Sequence, residues 1–364
     1  MAGRAGITGK RRVAVGAVAA VVTLVWAGGT ATAEQFAAPA PTDEVLFHDD
    51  FSSGFDKTGT WLLGKSKTAT GAELPEGDGV VTVGRKGITV VPTGRNPATG
   101  RPAFAATADQ QAAGFGGGTG DHLKWVAQPR KSSANGFPIP DTGAMTCTTR
   151  MSVLAEGIER HPFGRAAVAD PQSDPRLASA TMITVDHATH TVFNFTLTNN
   201  EIHAIYERLP VDSGAYAAFH YSIPVAKRGP DRADELQVRF DQGGKRVTWL
   251  VNGRKVLSTD RIGTLAFDRK YLRTDHGGPQ ETVVARNVQC GLGIGNLLDG
   301  SGGVKDRYKG GLVKLEDTPG FYYSTLLGAP APQPFLDDES KVSNRLFGQG
   351  VTLKVRGFDM RYER

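Results

Sequence analysis

Ionisable side chains occupy alternate positions of one short segment, Glu201-Ile202-His203-Ala204-Ile205-Tyr206-Glu207. Residues two apart in a β-strand point to the same face of a sheet, so we expect Glu201, His203 and Glu207 to share a face. Carboxylates and imidazoles are the side chains that most often transfer protons in catalysis, and the imidazole titrates near neutrality. The segment therefore predicts a candidate catalytic site with Glu201, His203 and Glu207 as its catalytic residues.

Distance limits what the two glutamates can do together. At about 3.3 Å per residue, Glu201 and Glu207 are about 20 Å apart along a strand. A glycosidase carboxylate pair needs about 5–5.5 Å for retention or about 6.5–9.5 Å for inversion. A catalytic glutamate here therefore needs a partner from another strand or loop, such as Asp275 or Asp299. We predict Asp299, which follows an apolar strand end, as a ligand-binding residue at the rim of a cleft.

A plainer interpretation of the same segment stays open. Sheets carry charges on solvated faces and on edge strands, where they oppose aggregation. In that case Glu201 only flanks a turn, and Glu207 pairs with Arg208 or a nearby lysine. Two other polar runs, at residues 186–190 and 275–278, are expected to be turns, although the first contains the aspartate and histidine ligands that a metal site would use. We expect no metal site and no cofactor.

Short strands must position these residues. Val, Ile, Thr and aromatic runs separated by Gly, Pro and Asn turns are typical of a β-sandwich or barrel, with almost no helix. Residues 44–364 are predicted to form one domain. The fourteen predicted strands are Val45–Asp49, Trp61–Lys65, Val80–Val83, Ile88–Val91, Leu123–Ala127, Met145–Leu154, Thr181–Val185, Thr191–Thr198, Glu201–Leu209, Tyr216–Val225, Leu236–Asp241, Val247–Val251, Thr282–Ile294 and Val351–Arg361.

The first 43 residues are predicted to lie outside the fold. Residues 1–33 are typical of a secretory signal peptide, with a basic start, an apolar run of about 14 residues and the small-residue pattern ATA before Glu34. Arg11-Arg12 leaves general-secretion and twin-arginine export both open, and an uncleaved anchor is the alternative. Residues 34–43 are expected to be a flexible leader. The sequence thus predicts a secreted, extracellular protein.

The charge balance of the mature chain argues against two classes of partner, nucleic acids and anionic membranes. The chain has 42 Lys and Arg against 37 Asp and Glu, and residues 1–33 hold four of the bases and none of the acids. The mature chain is therefore close to neutral. A basic surface for nucleic acid or for an anionic membrane is not expected, and we expect a monomer.

The two cysteines, Cys147 and Cys290, are predicted to form one disulfide, because export exposes them to an oxidising compartment. The alternative is two buried free thiols. On the chain-entropy model, a disulfide that closes the long loop between Cys147 and Cys290 contributes about 4–5 kcal/mol to stability.

Three short motifs carry a resemblance to a known fold. Asp49, Asp50 and Phe51, followed by Phe55 and Trp61, look like the opening of concanavalin-A-like jelly rolls. The run VTWLVNGRKV at 247–256 is similar to a hairpin of laminarinase-type glycoside hydrolases, and VTLKVRGFDMR at 351–361 resembles their closing strand. The chain also resembles an uncharacterised secreted bacterial family of unknown function. The resemblance implies an all-β, concanavalin-A-like jelly-roll sandwich of two antiparallel sheets, whose concave sheet holds ligand.

The resemblance also implies where chemistry would occur. In laminarinase-type enzymes a Glu-x-Asp-x-Glu strand lies in this place, whereas here His203 replaces the aspartate and Glu207 comes late. Jelly-roll polysaccharide lyases have a Q-I-H motif similar to residues 201–203, which would make His203 a base and Tyr221 or Tyr216 an acid. The other lyase motifs are missing from this chain.

Three functions follow, and the sequence does not decide whether the protein is an enzyme. The first is hydrolysis or other cleavage of an extracellular polysaccharide in a concave sheet cleft. The second is lectin-like binding of a polysaccharide or oligosaccharide without catalysis, with Tyr206, Tyr221, Trp249 and Asp299 as ligand-binding residues. The third is a site for a small apolar ligand inside the sandwich.

Overall fold

The computed structural model describes residues 43–110, 119–132, 135–211, 214–230, 232–323 and 331–364. The predicted signal peptide and all but the last residue of the predicted leader lie outside the described residues, so both stay predictions. Among the described residues, no helix is both long enough and apolar enough to cross a membrane.

Strands make up nearly all of the regular structure. In the first half of the chain they are β1 (Glu44–Asp49), β2 (Trp61–Leu63), β3 (Ser66–Lys67), β4 (Glu73–Leu74), β5 (Val80–Gly84), β6 (Gly87–Val91), β7 (Gly94–Arg95), β8 (Pro102–Ala103), β9 (Leu123–Pro129), β10 (Phe137–Pro138), β11 (Ala144–Glu156) and β12 (Ser179–Asp186). In the second half they are β13 (Thr191–Val192), β14 (Phe195–Leu197), β15 (Glu201–Arg208), β16 (Ala218–Lys227), β17 (Asp234–Asp241), β18 (Arg246–Val251), β19 (Arg254–Thr259), β20 (Leu272–Gly277), β21 (Asn287–Gly295), β22 (Gly311–Val313), β23 (Phe335–Asp337) and β24 (Gly350–Glu363).

Helical structure is limited to single turns. Two four-residue α-helices are α1 (Gly164–Ala167) and α2 (Val342–Arg345), and 3-10 turns lie at Thr119–Asp121, Arg130–Ser132, Ile158–Arg160, Gln242–Gly244 and Arg269–Tyr271. The expectation of almost no helix is confirmed for the described residues.

Each of the fourteen predicted strands is confirmed in place, with differences at the ends. The predicted strand Thr191–Thr198 is interrupted between β13 and β14, and the one that was expected to begin at Thr282 begins at Asn287 as β21. The prediction of a turn at 186–190 is confirmed, with residues 187–190 in turns. The prediction of a turn at 275–278 is wrong, since Leu272–Gly277 form β20 at the edge of a sheet and pair with β16.

Two sheets hold most of these strands. An eight-stranded sheet has the order β19-β18-β17-β11-β24-β6-β5, with β1 paired to β24. A ten-stranded sheet has the order β2-β9-β21-β12-β13-β15-β16-β20, with β10 and β14 paired beside this path. Neighbours in both sheets run antiparallel. The predicted all-β, concanavalin-A-like jelly-roll sandwich of two antiparallel sheets is confirmed.

Large apolar side chains fill the space between the sheets. Trp61, Trp125 and Trp249 are at most 1% exposed, and apolar residues that alternate along each strand pack around them. Cys147 of β11 and Cys290 of β21 form a disulfide across this core, with Cα atoms 6.4 Å apart. The predicted disulfide is confirmed, and it links the two sheets near their centres. It closes the long loop whose entropy was estimated above.

Alternation along β15 decides which residues face away from this core. Ile202, Ala204 and Tyr206 belong to the core between the sheets. Glu201, His203 and Glu207 therefore lie on the opposite, outer face of the ten-stranded sheet. The expectation that these three residues share one face is confirmed. Chain segments around Ser173 and Lys305 cover part of that face, where they contact His203 and Glu201.

Candidate functional site

Glu207 and His220 form the first pair of the site. They are directly opposite each other in the β15–β16 ladder, and His220 Nδ1 lies 3.3 Å from Glu207 Oε2. Their side chains are 19% and 11% exposed, so both remain within reach of a ligand. Among the described residues, His220 Nε2 has no hydrogen-bond partner although it is buried. A buried polar atom without a protein partner is costly, so Nε2 keeps an unused hydrogen-bonding site next to the partly exposed Glu207.

Asp299 forms a second group with His122 and Tyr322. Asp299 Oδ1 lies 2.9 Å from His122 Nε2, and Asp299 Oδ2 accepts a hydrogen bond of 2.7 Å from the Tyr322 hydroxyl. Gln333 donates from Nε2 to the backbone oxygen of Asp299 at 2.8 Å. The Asp299 carboxylate is about 1% exposed, whereas the His122 ring is 27% exposed. We call Asp299, His122 and Tyr322 the Asp299 triad.

The sheet explains why these residues meet. His122 directly precedes β9, and Asp299 follows shortly after β21. The two strands are antiparallel neighbours in which Gly295 pairs with Leu123, so the start of β9 lies beside the end of β21. Gly295 is required there, because a Cβ at this position would lie within 2 Å of the His122 backbone oxygen.

Neighbouring charges shift the pKa values of His122 and Asp299 in the triad. Burial alone would lower the pKa of His122, but the Asp299 carboxylate outweighs it, and Glu207 adds to the effect, so the pKa is raised. Burial alone would raise the pKa of Asp299, and the attraction of His122 holds it below its ordinary value instead. The two shifts together favour an imidazolium paired with a carboxylate. Asp299 is the acidic residue with the largest effect on His122, and Glu207 and Asp121 add smaller contributions that also raise its pKa.

His276 of β20 is a further histidine in this cluster, and it is neutral. Its Nδ1 donates a 3.0 Å hydrogen bond to the Phe321 backbone oxygen, and its ring packs edge-on against Phe321 with centroids 4.1 Å apart. Burial lowers the pKa of His276 to about 4 despite the nearby charges of Asp299 and Glu207. In this tautomer Nε2 is an acceptor.

The other end of β15 has a different character. Glu201 is ion-paired with Lys227, lies 3.6 Å from Lys305 Nζ and 3.4 Å from His203 Nε2, and its side chain is only 9% exposed. The hydrogen bond from His203 and the pairing with Lys227 outweigh the opposing effect of burial and lower the pKa of Glu201 to about 2. A carboxylate so placed is a permanent anion with its oxygens already occupied.

His203 has both ring nitrogens engaged. Nε2 lies 3.2 Å from the Ser173 backbone oxygen, which can only accept, so Nε2 carries the proton. Nδ1 then accepts from the Ser222 hydroxyl at 3.0 Å. Burial lowers the pKa of His203, so the ring is neutral. These contacts give no support to the prediction of His203 and Glu201 as catalytic residues, and those roles stay untested.

Three predicted ligand-binding residues lie in the core instead of on the outer face. Tyr206, Tyr221 and Trp249 are fully buried between the sheets. Their polar atoms are used internally: Tyr206 Oη accepts from Gly263 N at 2.7 Å, Tyr221 donates to Phe267 O at 3.1 Å, and Trp249 Nε1 donates to Asn194 O at 3.2 Å. The expectation that they line a cleft is therefore corrected. The same aromatic packing fills the core, so it gives no support to an apolar ligand inside it.

Sequence reasoning placed Glu207 and Asp299 and missed their partners. His122 carried one usable signal, since it directly precedes a predicted strand, where side chains emerge at a sheet edge. Tyr322 was not singled out from the sequence, and His276 was included only in a predicted turn. Among the described residues, no group of three or more His, Cys, Asp or Glu has an arrangement that would hold a metal ion.

An open depression of about 330 Å³ adjoins the cluster. Thr274, which pairs with His220 in the β16–β20 ladder, lies in its wall, and so does Gln333, which binds the backbone of Asp299. The depression therefore lies next to the cluster, on the side of β20.

These features define a class: a two-sheet β-sandwich whose ten-stranded sheet carries a partly exposed acid–base cluster on its outer face. The chain belongs to a family of unknown function, DUF6081, whose model matches residues 48–364. The expectation of membership in a family of unknown function is confirmed.

A relative outside bacteria is also found. The chain is 26% identical over 238 residues to the uncharacterized protein L829 of Acanthamoeba polyphaga mimivirus. The alignment covers 49% of this chain and 54% of the viral protein, so the chain spans about half the length of the curated relative it matches. A viral relative is at odds with the expectation of a bacterial family, and secretion stays a prediction.

Several solved structures have a similar fold at very low sequence identity. An endo-1,3-beta-glucanase from Streptomyces sioyaensis is 11% identical with a TM-score of 0.42, and the match covers 89% of this chain and 98% of that chain. The catalytic domain of a laminarinase from Thermotoga petrophila is 10% identical with a TM-score of 0.40, over 89% and 100%. The kappa-carrageenase of Pseudoalteromonas carrageenovora, solved with an oligotetrasaccharide of kappa-carrageenan, is 12% identical with a TM-score of 0.38, over 92% and 100%.

Proposed function

We propose that this protein is a secreted enzyme that cleaves glycosidic bonds of an extracellular polysaccharide on the outer face of its ten-stranded sheet. The observation that carries the proposal is the partly exposed His122 imidazole held 2.9 Å from the buried Asp299 carboxylate, with the partly exposed Glu207 carboxylate paired to His220 as a second group on this sheet. Cleavage of a glycosidic bond needs one group that donates a proton and one carboxylate that acts as base or nucleophile. In this cluster His122 supplies the proton donor, and Glu207 supplies the carboxylate.

The charged imidazole of His122 is the proton donor. Because Nε2 is held by Asp299, the proton that leaves comes from Nδ1 and passes to the leaving oxygen of the glycosidic bond. Asp299 stabilises the imidazolium before transfer, and Tyr322 fixes the carboxylate by donating to its second oxygen. Asp299 and Tyr322 are therefore positioning residues in this scheme.

Glu207 is the carboxylate that acts on the sugar or on water. His220 holds Oε2 of Glu207 through Nδ1, which leaves the other carboxylate oxygen for the reaction. As base, Glu207 takes the proton of a water that attacks the anomeric carbon while His122 protonates the departing oxygen.

The test is product analysis of residues 34–364 on neutral and uronate polysaccharides, with the Glu207→Gln variant beside the wild type. New saturated reducing ends that disappear in Glu207→Gln are the expected result. Unsaturated ends would select elimination, with Tyr322 or a histidine as the proton-transfer group. Retention on a glycan with no cleavage would replace the enzyme with a binding module.

The Glu201→Gln variant is the matched control for this test. It makes the same chemical change on the same face of the same strand, at a carboxylate that is already ion-paired. Equal loss of cleavage in both variants would mean that the reaction depends on the strand as a whole and not on the Glu207 cluster.

A further inference from the structure

Cationic side chains dominate the depression beside the Glu207 cluster. Arg269, Lys270, Arg273 and Lys309 line its wall together with one acidic residue, Asp275. The Arg273 side chain is buried, whereas the other three cations are exposed. The wall therefore presents four positive charges against one negative charge.

Three of the four cations have no counter-ion close by. Lys270 pairs with Asp268 at 3.1 Å, but among the described residues no carboxylate lies within 4 Å of the charged nitrogens of Arg269, Arg273 or Lys309. Lys309 donates to a backbone oxygen at 2.7 Å, which leaves two of its three protons. The positive charge of the wall is thus available to a bound anion.

Arg273 is the most informative of these residues. It is 8% exposed, its Nη1 donates to the Ser301 backbone oxygen at 3.1 Å, and its buried Nε has no partner among the described residues. Asp174 and Asp306 attract its charge, but both bind Arg176 directly, at 2.5 and 2.7 Å. Glu201 also attracts it and is ion-paired with Lys227. A buried guanidinium that lacks a direct counter-ion is costly, and an anionic ligand would offset that cost.

A second depression in the same molecule shows that this excess charge is not general. It has a volume of about 350 Å³, and its charged wall residues are Arg101, Arg160, Glu156 and Glu159. Arg101 and Glu156 are paired directly. Two depressions of nearly equal size therefore differ in net charge, and the cationic one is the one that adjoins the cluster.

We propose that the cationic depression binds sulfate or carboxylate groups of the polysaccharide, so that the substrate is an anionic polysaccharide. This inference rests on the proposed function, because the depression serves there as an extension of the cleavage site. Thr274 and Gln333 connect the two, since each lies in the wall of the depression and also contacts the cluster. A guanidinium recognises both anions through paired N–H donors, so both are candidates.

The experiment measures dissociation constants for polygalacturonate, for a sulfated galactan and for neutral laminarin. The double variant Arg269→Glu/Lys309→Glu changes two exposed side chains and is expected to bind the anionic polymers at least about ten-fold more weakly. Arg101→Glu/Arg160→Glu, the same double charge reversal in the other depression, is expected to stay within about twofold. The wild-type affinity for the anionic polymers should fall as salt rises, because exposed charges are screened.

The outcomes separate this inference from the proposed function. Tighter binding of laminarin than of both anionic polymers, or unchanged binding in the double variant, would overturn the inference. A loss of binding in the double variant that is confined to one anionic polymer supports the inference and assigns the recognised anion as carboxylate or sulfate. Cleavage assayed on the same samples tests the proposed enzyme activity separately. If the wild type cleaves none of the polymers but the double variant still loses binding to the anionic ones, the proposed function is removed and the inference about the anion site is kept. Thermal unfolding of each variant shows that the fold is intact.

Discussion

The two ends of β15 carry similar residues in opposite situations. At one end, Glu201 and His203 lie under covering segments, and each of their polar atoms has a protein partner. At the other end, Glu207 is 19% exposed and faces His220, whose Nε2 has no partner among the described residues. One end is a satisfied structural network, and the other has capacity left for a ligand. Residue type alone did not distinguish the two ends of β15, whereas their hydrogen-bond partners do.

The difference also shows in protonation. His203 is neutral because burial lowers its pKa, and it donates to a backbone oxygen. For His122 the opposing effect of burial is outweighed by the nearby carboxylates, Asp299 above all, so its pKa is raised and its charged form is favoured. A neutral histidine that is bonded on both sides stabilises a fold, whereas a charged and partly exposed one can donate a proton.

The largest expected effect is on the Glu207 end. Glu207→Gln removes the base or nucleophile while keeping the size of the side chain, and we expect kcat to fall by about a thousand-fold. Glu201→Gln should keep kcat within about threefold. The measurement is steady-state kinetics on the polysaccharide that wild type cleaves, and a larger loss in Glu201→Gln would reverse the comparison.

The next effect concerns Asp299, which acts through His122. Asp299→Asn keeps the shape but removes the charge that raises the pKa of His122, so we expect kcat to fall by about a hundred-fold. The charged form of His122 is lost as pH rises through its raised pKa. The alkaline limb of the pH profile should therefore move to lower pH in the variant. A loss of kcat with an unmoved alkaline limb would count against His122 as the proton donor.

A third prediction concerns stability at the Glu201 end. The pKa of Glu201 is depressed to about 2, so its contribution is present above its ordinary pKa and is lost as pH falls from about 4.5 towards 2. We expect Glu201→Gln to lower the free energy of unfolding at pH 7 by on the order of 2 kcal/mol and to flatten its dependence on pH in that window. Urea denaturation at pH 7 and pH 3 measures both, and equal differences between wild type and variant at the two pH values would refute this.

The smallest effect is expected at His203. His203→Gln removes a partner of the Ser222 hydroxyl and of the Ser173 backbone oxygen, which costs about 1–2 kcal/mol of stability. Activity at a temperature well below unfolding should remain within about threefold of wild type. A hundred-fold loss of kcat in a folded His203→Gln protein would restore His203 as a catalytic base.

Much of the fold followed from local patterns. Alternating apolar residues predicted the strands, and the run at 247–256 resembled a hairpin, in whose turn Asn252 and Gly253 have positive φ of 50° and 75°. The two cysteines predicted the disulfide. These features depend on a few neighbouring residues or on chain composition, so a sequence is enough to predict them.

The site depended on contacts between distant residues. His122, Asp299 and Tyr322 come together only because β9 and β21 are neighbours, and strand order is not visible in local patterns. The burial and hydrogen bonding of His203 likewise depend on distant segments, and neither Ser173 nor Ser222 is recognisable in the sequence as its partner. Strand alternation correctly placed Glu207 on the outer face but gave no information on its surroundings.

The central claim is that only the Glu207 end of β15 is an acid–base centre, and histidine titration by NMR tests it without a known substrate. We expect His122 to titrate above the ordinary histidine pKa and to shift downward in Asp299→Asn, while His203 and His276 titrate below the ordinary value. A His122 that titrates at or below the ordinary value, or a His203 that titrates above it, would contradict the account.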